Sequence, residues 1–285
     1  MSEVQEMVLP ASSHSPDLEH GSLLSIGTAT ILLRYAGLSI LTDPNFLPQG
    51  EQVHLGYGLR STRKTNPALS LEELPPVDLV VLSHLHEDHF DRLVEHQLDR
   101  AIPILTTPQA AAALHKKGFA KAHALDIWQT ISIFKGETQL RLTAMPGKHA
   151  PGLLSSLLPP VMGSMLEFLA PADQLRLRLY ISGDTLIHPR LKEIPRRYPE
   201  IDLALLHLRG TRLLGVLVTM DDRQGVEALR IIAPRLAIPI HYEDYPVFQS
   251  PLGAFMKAVA AAGLSHQVQY LYSGERYTFE ATESR

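Results

Sequence analysis

Short apolar runs rich in β-branched residues recur along the chain, each closed by glycine, proline or a polar residue, and runs of that kind form strands. The segment SLLSIGTATILLRYAGLSILTDP reads as a hairpin turning at Ala36 and Gly37. Further strands are expected in VDLVVLSH, AIPILTTP, TISIF, TQLRLTAMPGKH, LRLRLYISGDT, IDLALLHL, LAIPIHY and VQYLYSG. Several of these show no polar alternation, which is the pattern of strands covered on both faces.

Between them lie stretches with helix punctuation. Pro108 opens PQAAAALHKKG and Gly118 closes it. Asp221 or Asp222 can cap DRQGVEALRIIA before Pro234, Ser250 and Pro251 start SPLGAFMKAVAAAG before Gly263, and HFDRLVEHQL after His89 makes a shorter helix. Proline in the first turn and glycine past the last is the usual asymmetry of helix ends. Strands mixed with covering helices predict an α/β layered fold. Residues 151–172, PGLLSSLLPPVMGSMLEFLAPA, are apolar and proline-punctuated without clean periodicity. They read either as a core-packing helix pair or as an apolar wall or lid beside a site.

Composition narrows the picture. The 285 residues carry a formal charge of −4 and no run of basic residues, so nothing draws the chain toward nucleic acid or an anionic membrane. No apolar run reaches the roughly 18–20 residues of a membrane span. Residues 1–20 hold acids, prolines and serines rather than a basic start and apolar core, and read as a flexible tail before a single domain over 21–285. A cytoplasmic protein is expected. Cysteine is absent, which removes disulfides, thiolate metal sites and a cysteine nucleophile together. Histidine is abundant, with fourteen, and imidazole is both the commonest metal ligand and the usual proton shuttle near neutral pH.

Where those histidines fall matters more than their number. The expected strands end at Asp43, His84, His149, Asp184, His207 and His241, and sites in α/β sheets form beyond the carboxyl ends of strands. The densest cluster is SHLHEDHF. In extended chain, residues two apart face the same way, so His84 and His86 can address one ion. Asp88 and His89 follow as the chain turns and can face a second. Four such side chains buried together without a cation would be left repelling or unsatisfied. The competing reading makes Asp88 a helix cap.

The pattern His84-Leu85-His86-Glu87-Asp88-His89 resembles the H-x-H-x-D-H signature of the metallo-β-lactamase superfamily. The resemblance runs from residue 21 to about 275, with GTATILLRYAGLSILTDP as the opening hairpin, His149 in MPGKH, Asp184 in ISGDT and His241 in IPIHYEDY. The subgroup it most resembles includes ascorbate-6-phosphate lactonase and the N-acyl phosphatidylethanolamine phospholipase D-like hydrolases. The resemblance implies a four-layer αββα sandwich of two mixed sheets flanked by helices. It also implies a dinuclear centre: His84, His86 and His149 around one ion, Asp88, His89 and His241 around the other, and Asp184 bridging. Nitrogen and oxygen donors suit zinc, and also manganese or iron.

Two divalent ions lower the pKa of a bound water toward ~7 and supply hydroxide at neutral pH. No side-chain nucleophile is then needed, and Ser155 and Ser156 read as structural. Asp88, Asp184 and His207 are the candidate catalytic residues, with His207 able to touch substrate, to donate a proton, or simply to pack. Asp43 is expected to orient a ligand histidine from behind. His188 reads as a loop residue; His14, His20, His54, His96, His115, His123 and His266 as solvent or packing residues. The leading activity is hydrolysis of a phosphodiester or related ester on a small anionic substrate with a lipophilic part. A lactonase or other carbonyl hydrolase is the alternative, and a non-catalytic metal-binding protein the distant third. Homo-oligomerisation is left open.

Overall fold

The computed structural model describes residues 5–11, 15–55 and 59–281; His14 lies outside them. The first half of the chain forms β1 (Gln5–Val8), β2 (His20–Gly27), β3 (Thr30–Tyr35), β4 (Leu38–Thr42), a small ribbon of β5 (Gln52–His54) and β6 (Arg60–Thr62), then β7 (Leu79–Val81), α1 (Arg92–Gln97), β8 (Ile104–Thr106), α2 (Pro108–Lys116) and β9 (Ala122–Ala124). The second half adds β10 (Thr130–Lys135), β11 (Thr138–Pro146), β12 (Met162–Ala170), β13 (Gln174–Ile181), α3 (Ile194–Arg197) and β14 (Leu203–His207). A ribbon of β15 (Arg212–Leu213) and β16 (Val216–Leu217) follows, then α4 (Asp222–Ile232), β17 (Leu236–Ile240), α5 (Leu252–Ala261) and β18 (Arg276–Glu280).

Two seven-stranded mixed sheets result, in the orders β18-β2-β3-β4-β7-β8-β9 and β1-β10-β11-β12-β13-β14-β17. They pack face to face over one apolar layer, in which Leu23, Ile31, Leu33 and Ile40 of the first meet Leu142, Leu166, Phe168 and Leu179 of the second. Val226, Leu229, Phe255 and Val259 of α4 and α5 cover the outer face of the second sheet over Met145, Met165 and Tyr180. Val94 of α1 and Leu114 of α2 cover the first over Ile26, Leu41 and Val80. This is the four-layer αββα sandwich. Amphipathic helices on both outer faces explain the missing alternation: a strand between two apolar layers has no polar side to show.

The expected hairpin turn at Ala36–Gly37 is present, both residues taking positive φ of 52° and 75°, as a two-residue turn between twisted strands requires. Three expectations change. The segment 151–172 is no helix pair: after a 3₁₀ turn at Gly152–Ser156 it becomes β12, an interior strand between β11 and β13. Its MGSMLEFLA sequence is buried on both faces, so apolarity all round came from sheet burial and not from helix packing. VQYLYSG makes only one isolated bridge, Ala237 to Val268, and the closing strand is β18, paired with β2. Residues 5–8 pair in parallel with β10, and Met7 packs on the inter-sheet core. No helix among the described residues is long and apolar enough to cross a membrane.

Candidate metal centre

The carboxyl ends of β4, β7, β11, β13, β14 and β17 meet at one end of the sandwich. Beyond β7 the chain carries His84 and His86 and then turns over residues 87–89, with the amides of His89 and Phe90 both donating to the His86 carbonyl at 3.0 and 2.8 Å. Asp88 is therefore not a helix cap. That role belongs to Asp91, whose carboxylate accepts from Val94 N at 2.9 Å and from the amides of Phe46 and Leu47 at 2.5 and 2.9 Å. The turn brings His89 back beside His84, with ring centres 4.2 Å apart.

Four groups of potential ligand atoms form among the described residues, each with all its atoms within 4.8 Å of one another: His84, His86 and His149; Asp88, His89 and His241; His84, His89 and Asp184; and Asp43, His89 and His207. The seven side chains named from the sequence thus come together, Asp184 lying on the boundary between the two halves. Six of them are buried and His86 is half-buried. In the second half, His89 Nε2 lies 3.9 Å from Asp88 Oδ2 and 3.4 Å from Asp184 Oδ2. His241 Nε2 lies 3.6 and 3.5 Å from Asp88 Oδ2 and Asp184 Oδ1. Donor atoms each about 2.1 Å from a shared ion would be spaced at about these distances. In the first half, His84 Nε2 and His86 Nδ1 converge to 3.0 Å.

The donor atoms are also short of partners. Asp88 Oδ1, His89 Nε2, His149 Nε2 and Asp184 Oδ1 are buried with no hydrogen bond. Each would cost free energy if left so, because a buried polar group without a partner has lost its water for nothing. A metal ion bound among these residues would remove that deficit. Outer contacts already orient the rings, as metal-binding histidines require. His149 donates Nδ1–H to the Val218 carbonyl at 2.8 Å, which leaves the Nε2 lone pair facing inward. His84 Nδ1 meets Ser83 Oγ at 3.0 Å, and His89 Nδ1 lies 3.3 Å from Asp43 Oδ2.

The backbone pays strain to make this happen. Asp43 and His241 sit at φ 36° and 63°, in the left-handed region that non-glycine residues rarely occupy. Gly183, just before Asp184, has φ 61°, and a Cβ there would come 2.5 Å from the Met162 carbonyl. Asp244 holds the loop after His241, accepting from the Thr28 amide at 2.9 Å, while His241 N donates to the Thr28 carbonyl at 2.8 Å.

His207 stands behind the centre rather than over it. It is fully buried, its Nε2 lies 3.2 Å from Asp43 Oδ2 and its Nδ1 lies 3.2 Å from Ser182 Oγ. Asp43 joins His207 to His89 and also accepts from the Ser83 amide at 2.7 Å. Burial would raise the Asp43 pKa, but His89 and the bond from His207 outweigh it and bring the carboxyl down to about 2. Burial likewise lowers His84, His86 (to about 3), His149 and His207. His89 goes the other way. Burial alone would lower it, yet the carboxylates of Asp184, Asp43 and Asp88 raise it to about 10. Asp88 and Asp184 are held well below the carboxylate range: burial opposes ionisation, and the charge of Arg209, first among several neighbours, overrides it.

Arg209 was not anticipated from the sequence. It is 2% exposed, and its Nη1 donates to Asp88 Oδ2 at 2.5 Å and Asp184 Oδ2 at 2.8 Å. The available signal was its spacing: it lies two residues past His207 in extended chain, hence on the same side. Arg209 also lines a narrow cavity above the centre with His86, His149 and Leu158, whose rim includes Leu55 and Leu213. His188 lies in the loop before a 3₁₀ turn and does not line that cavity.

Fold and site together define a metallo-β-lactamase-type protein. Residues 39–242 match the beta-lactamase superfamily domain, and the chain belongs to that family. It is 25% identical over 252 residues to a UPF0173 metal-dependent hydrolase of Methanopyrus kandleri, covering 88% of this chain and 97% of that one. It is 27% identical over 272 residues to the UPF0173 protein YddR of Bacillus subtilis, covering 90% and 100%. The structure is similar in fold to an isothiocyanate hydrolase from Delia radicum gut bacteria, with TM-score 0.76, 21% identity, and 91% and 100% of the two chains covered.

Proposed function

We propose that the chain is a metal-dependent hydrolase with two ion positions, acting on a small anionic ester, a phosphodiester or related phosphate ester first among candidates. The observation that carries this reading is the convergence of seven ligand-type side chains, among which Asp88, His89, His149 and Asp184 each hold a buried donor atom with no hydrogen-bond partner. His84, His86 and His149 would hold one ion, Asp88, His89 and His241 the other, with Asp184 shared. Bound there, the pair would polarise the attacked oxygen and make a water acidic enough to attack near neutral pH.

The remaining work belongs to the protein. Asp43 links His89 to His207 and Ser83 and so fixes the His89 ring against rotation. His207 is then a positioning residue. Asp88 Oδ1, free of other donors, can accept a hydrogen bond from the attacking water and orient it. Arg209 adds positive charge at the floor of the cavity, which favours a phosphoryl group and the charge that develops on it. Leucines at the cavity wall suit an apolar substituent on the substrate. Of segment 151–172, Leu158 reaches that wall, whereas 162–170 is sheet.

Chelator-treated protein should lose hydrolysis of bis(p-nitrophenyl) phosphate and regain it with zinc or manganese. A parallel panel of p-nitrophenyl esters and lactones tests the carbonyl alternative. Full activity in protein verified to be free of metal contradicts the proposal.

A further inference from the structure

Arg209 places a permanent cation against the two carboxylates that the second ion position depends on. Its place is fixed from several sides: Nε donates to Thr211 Oγ1 at 2.8 Å, and the guanidinium carbon lies 5.3 Å from the centre of the Phe248 ring. Its carbonyl accepts from the amides of Gln249 and Ser250 at 2.9 and 3.3 Å. Nη1 lies 3.5 Å from His241 Nε2 as well as on Asp88 and Asp184. It therefore touches three of the four residues around the second position. None of the hydrogen bonds or ion pairs of Arg209 reaches His84, His86 or His149. Around the first position Arg209 touches only the shared Asp184, against three residues around the second.

We infer that Arg209 makes the two ion positions unequal: it competes with the second ion for Asp88 and Asp184, so that position fills only when the guanidinium withdraws into the cavity. This deepens the two-ion reading above and rests on it. An ion ~2.1 Å from both carboxylates and an arginine nitrogen on the same two carboxylates are like charges in a poorly solvated space, where repulsion is strong. Arg209 already lines a cavity of about 20 Å³ with Thr211 and Leu213, and withdrawal of the side chain in that direction requires the cavity to widen. There it would meet an anionic substrate. Binding of the second ion and of an anion should therefore favour each other.

The test is zinc titration of chelator-stripped protein by calorimetry, with bound zinc counted by mass spectrometry. Wild-type protein should take up one equivalent tightly and the second at least about 10-fold more weakly. Arg209→Gln should close that gap to within about threefold, while Arg209→Lys, which keeps a cation, should retain most of it. Stripped Arg209→Gln should melt lower than wild type, since two buried carboxylates lose their partner, and zinc should raise its Tm more than it raises that of wild type. Two equal affinities in wild type, or an unchanged gap in Arg209→Gln, overturns the inference while leaving the hydrolase reading intact. If neither wild type nor variant binds zinc, the two-ion reading itself fails.

Discussion

At the residue scale, the site is a set of opposed ionisations held among buried side chains. His89 sits among three carboxylates and is pushed up to about 10, whereas His86, half-buried a few residues away, falls to about 3. The difference is the company each ring keeps, not depth alone, because His84 is buried too and falls with His86. Asp43 illustrates how the ring orientations are kept. Asp43→Ala would free the His89 ring and leave His207 without its carboxylate. Zinc affinity at that half should drop ~10–100-fold, as for other outer partners of metal-binding histidines. Calorimetry on folded variant protein checks this, and a lower Tm with unchanged zinc affinity would give Asp43 a purely structural role. Asp184→Asn should abolish binding of a paired set of ions; two ions with wild-type affinity would remove its bridging role.

The seven ligand-type residues were legible because their chemistry is carried by identity and strand-end position. The role of His207 was not. A strand-end histidine can face substrate or face the back of another ligand, and only the Asp43 contact separates the two. Arg209 escaped because its one signal, the two-residue spacing from His207, does not by itself separate an inward-facing arginine from an exposed one. Its importance comes from Asp88 and Asp184, which are 121 and 25 residues away in sequence.

At the scale of elements, local pattern predicted most strands and helices but not those whose identity depends on distant partners. α2 and α4 follow their caps: Thr107 accepts from Ala110 N and Asp221 from Gln224 N, at 3.3 and 3.1 Å. The strand β12 could not be separated from a helix by apolarity, because burial on both faces erases the period-two signal. β1 is four residues long, and its place is set by pairing to a strand over a hundred residues away. These assignments have measurable consequences. Leu166 lies in β12 with no exposed surface, so Leu166→Ala should cost roughly 2–5 kcal/mol in urea unfolding. A cost below about 0.5 kcal/mol, the usual limit for surface changes, would contradict the placement of Leu166 in the layer between the two sheets. Asp91 caps α1 and ties it to residues 46 and 47. Asp91→Ala should cost at least about 1–2 kcal/mol, and the loss should appear in stability before it appears in zinc affinity.

For the molecule as a whole, the fold gathers six strand ends at one pole of a sandwich that is otherwise apolar between its layers. That architecture ties stability to pH. For His84, His86 and His149, folding depresses the pKa, and the unfolded chain protonates near the ordinary value of 6.5. Their contribution is complete above that value and drains away as pH falls toward the folded values, about 3 for His86. For His89 the folded pKa is raised, so its contribution is complete below 6.5 and is lost as pH rises toward about 10. Chelated protein should therefore be most stable near pH 6.5, with Tm falling on both sides. Zinc should flatten the alkaline limb, because the ion replaces the His89 proton as partner of the carboxylates. A chelated protein whose stability rises steadily from pH 6.5 to 9 would contradict the charge state assigned to His89.

The central claim is that this pole holds a pair of ions, and anomalous diffraction at the zinc edge from crystals soaked at saturating zinc tests it most directly. The account predicts two peaks, one among His84, His86 and His149 and one among Asp88, His89 and His241, each about 2.0–2.3 Å from its donor atoms, with Asp184 reaching both. Zinc bound elsewhere, with these side chains unchanged and no peak between them, would contradict it.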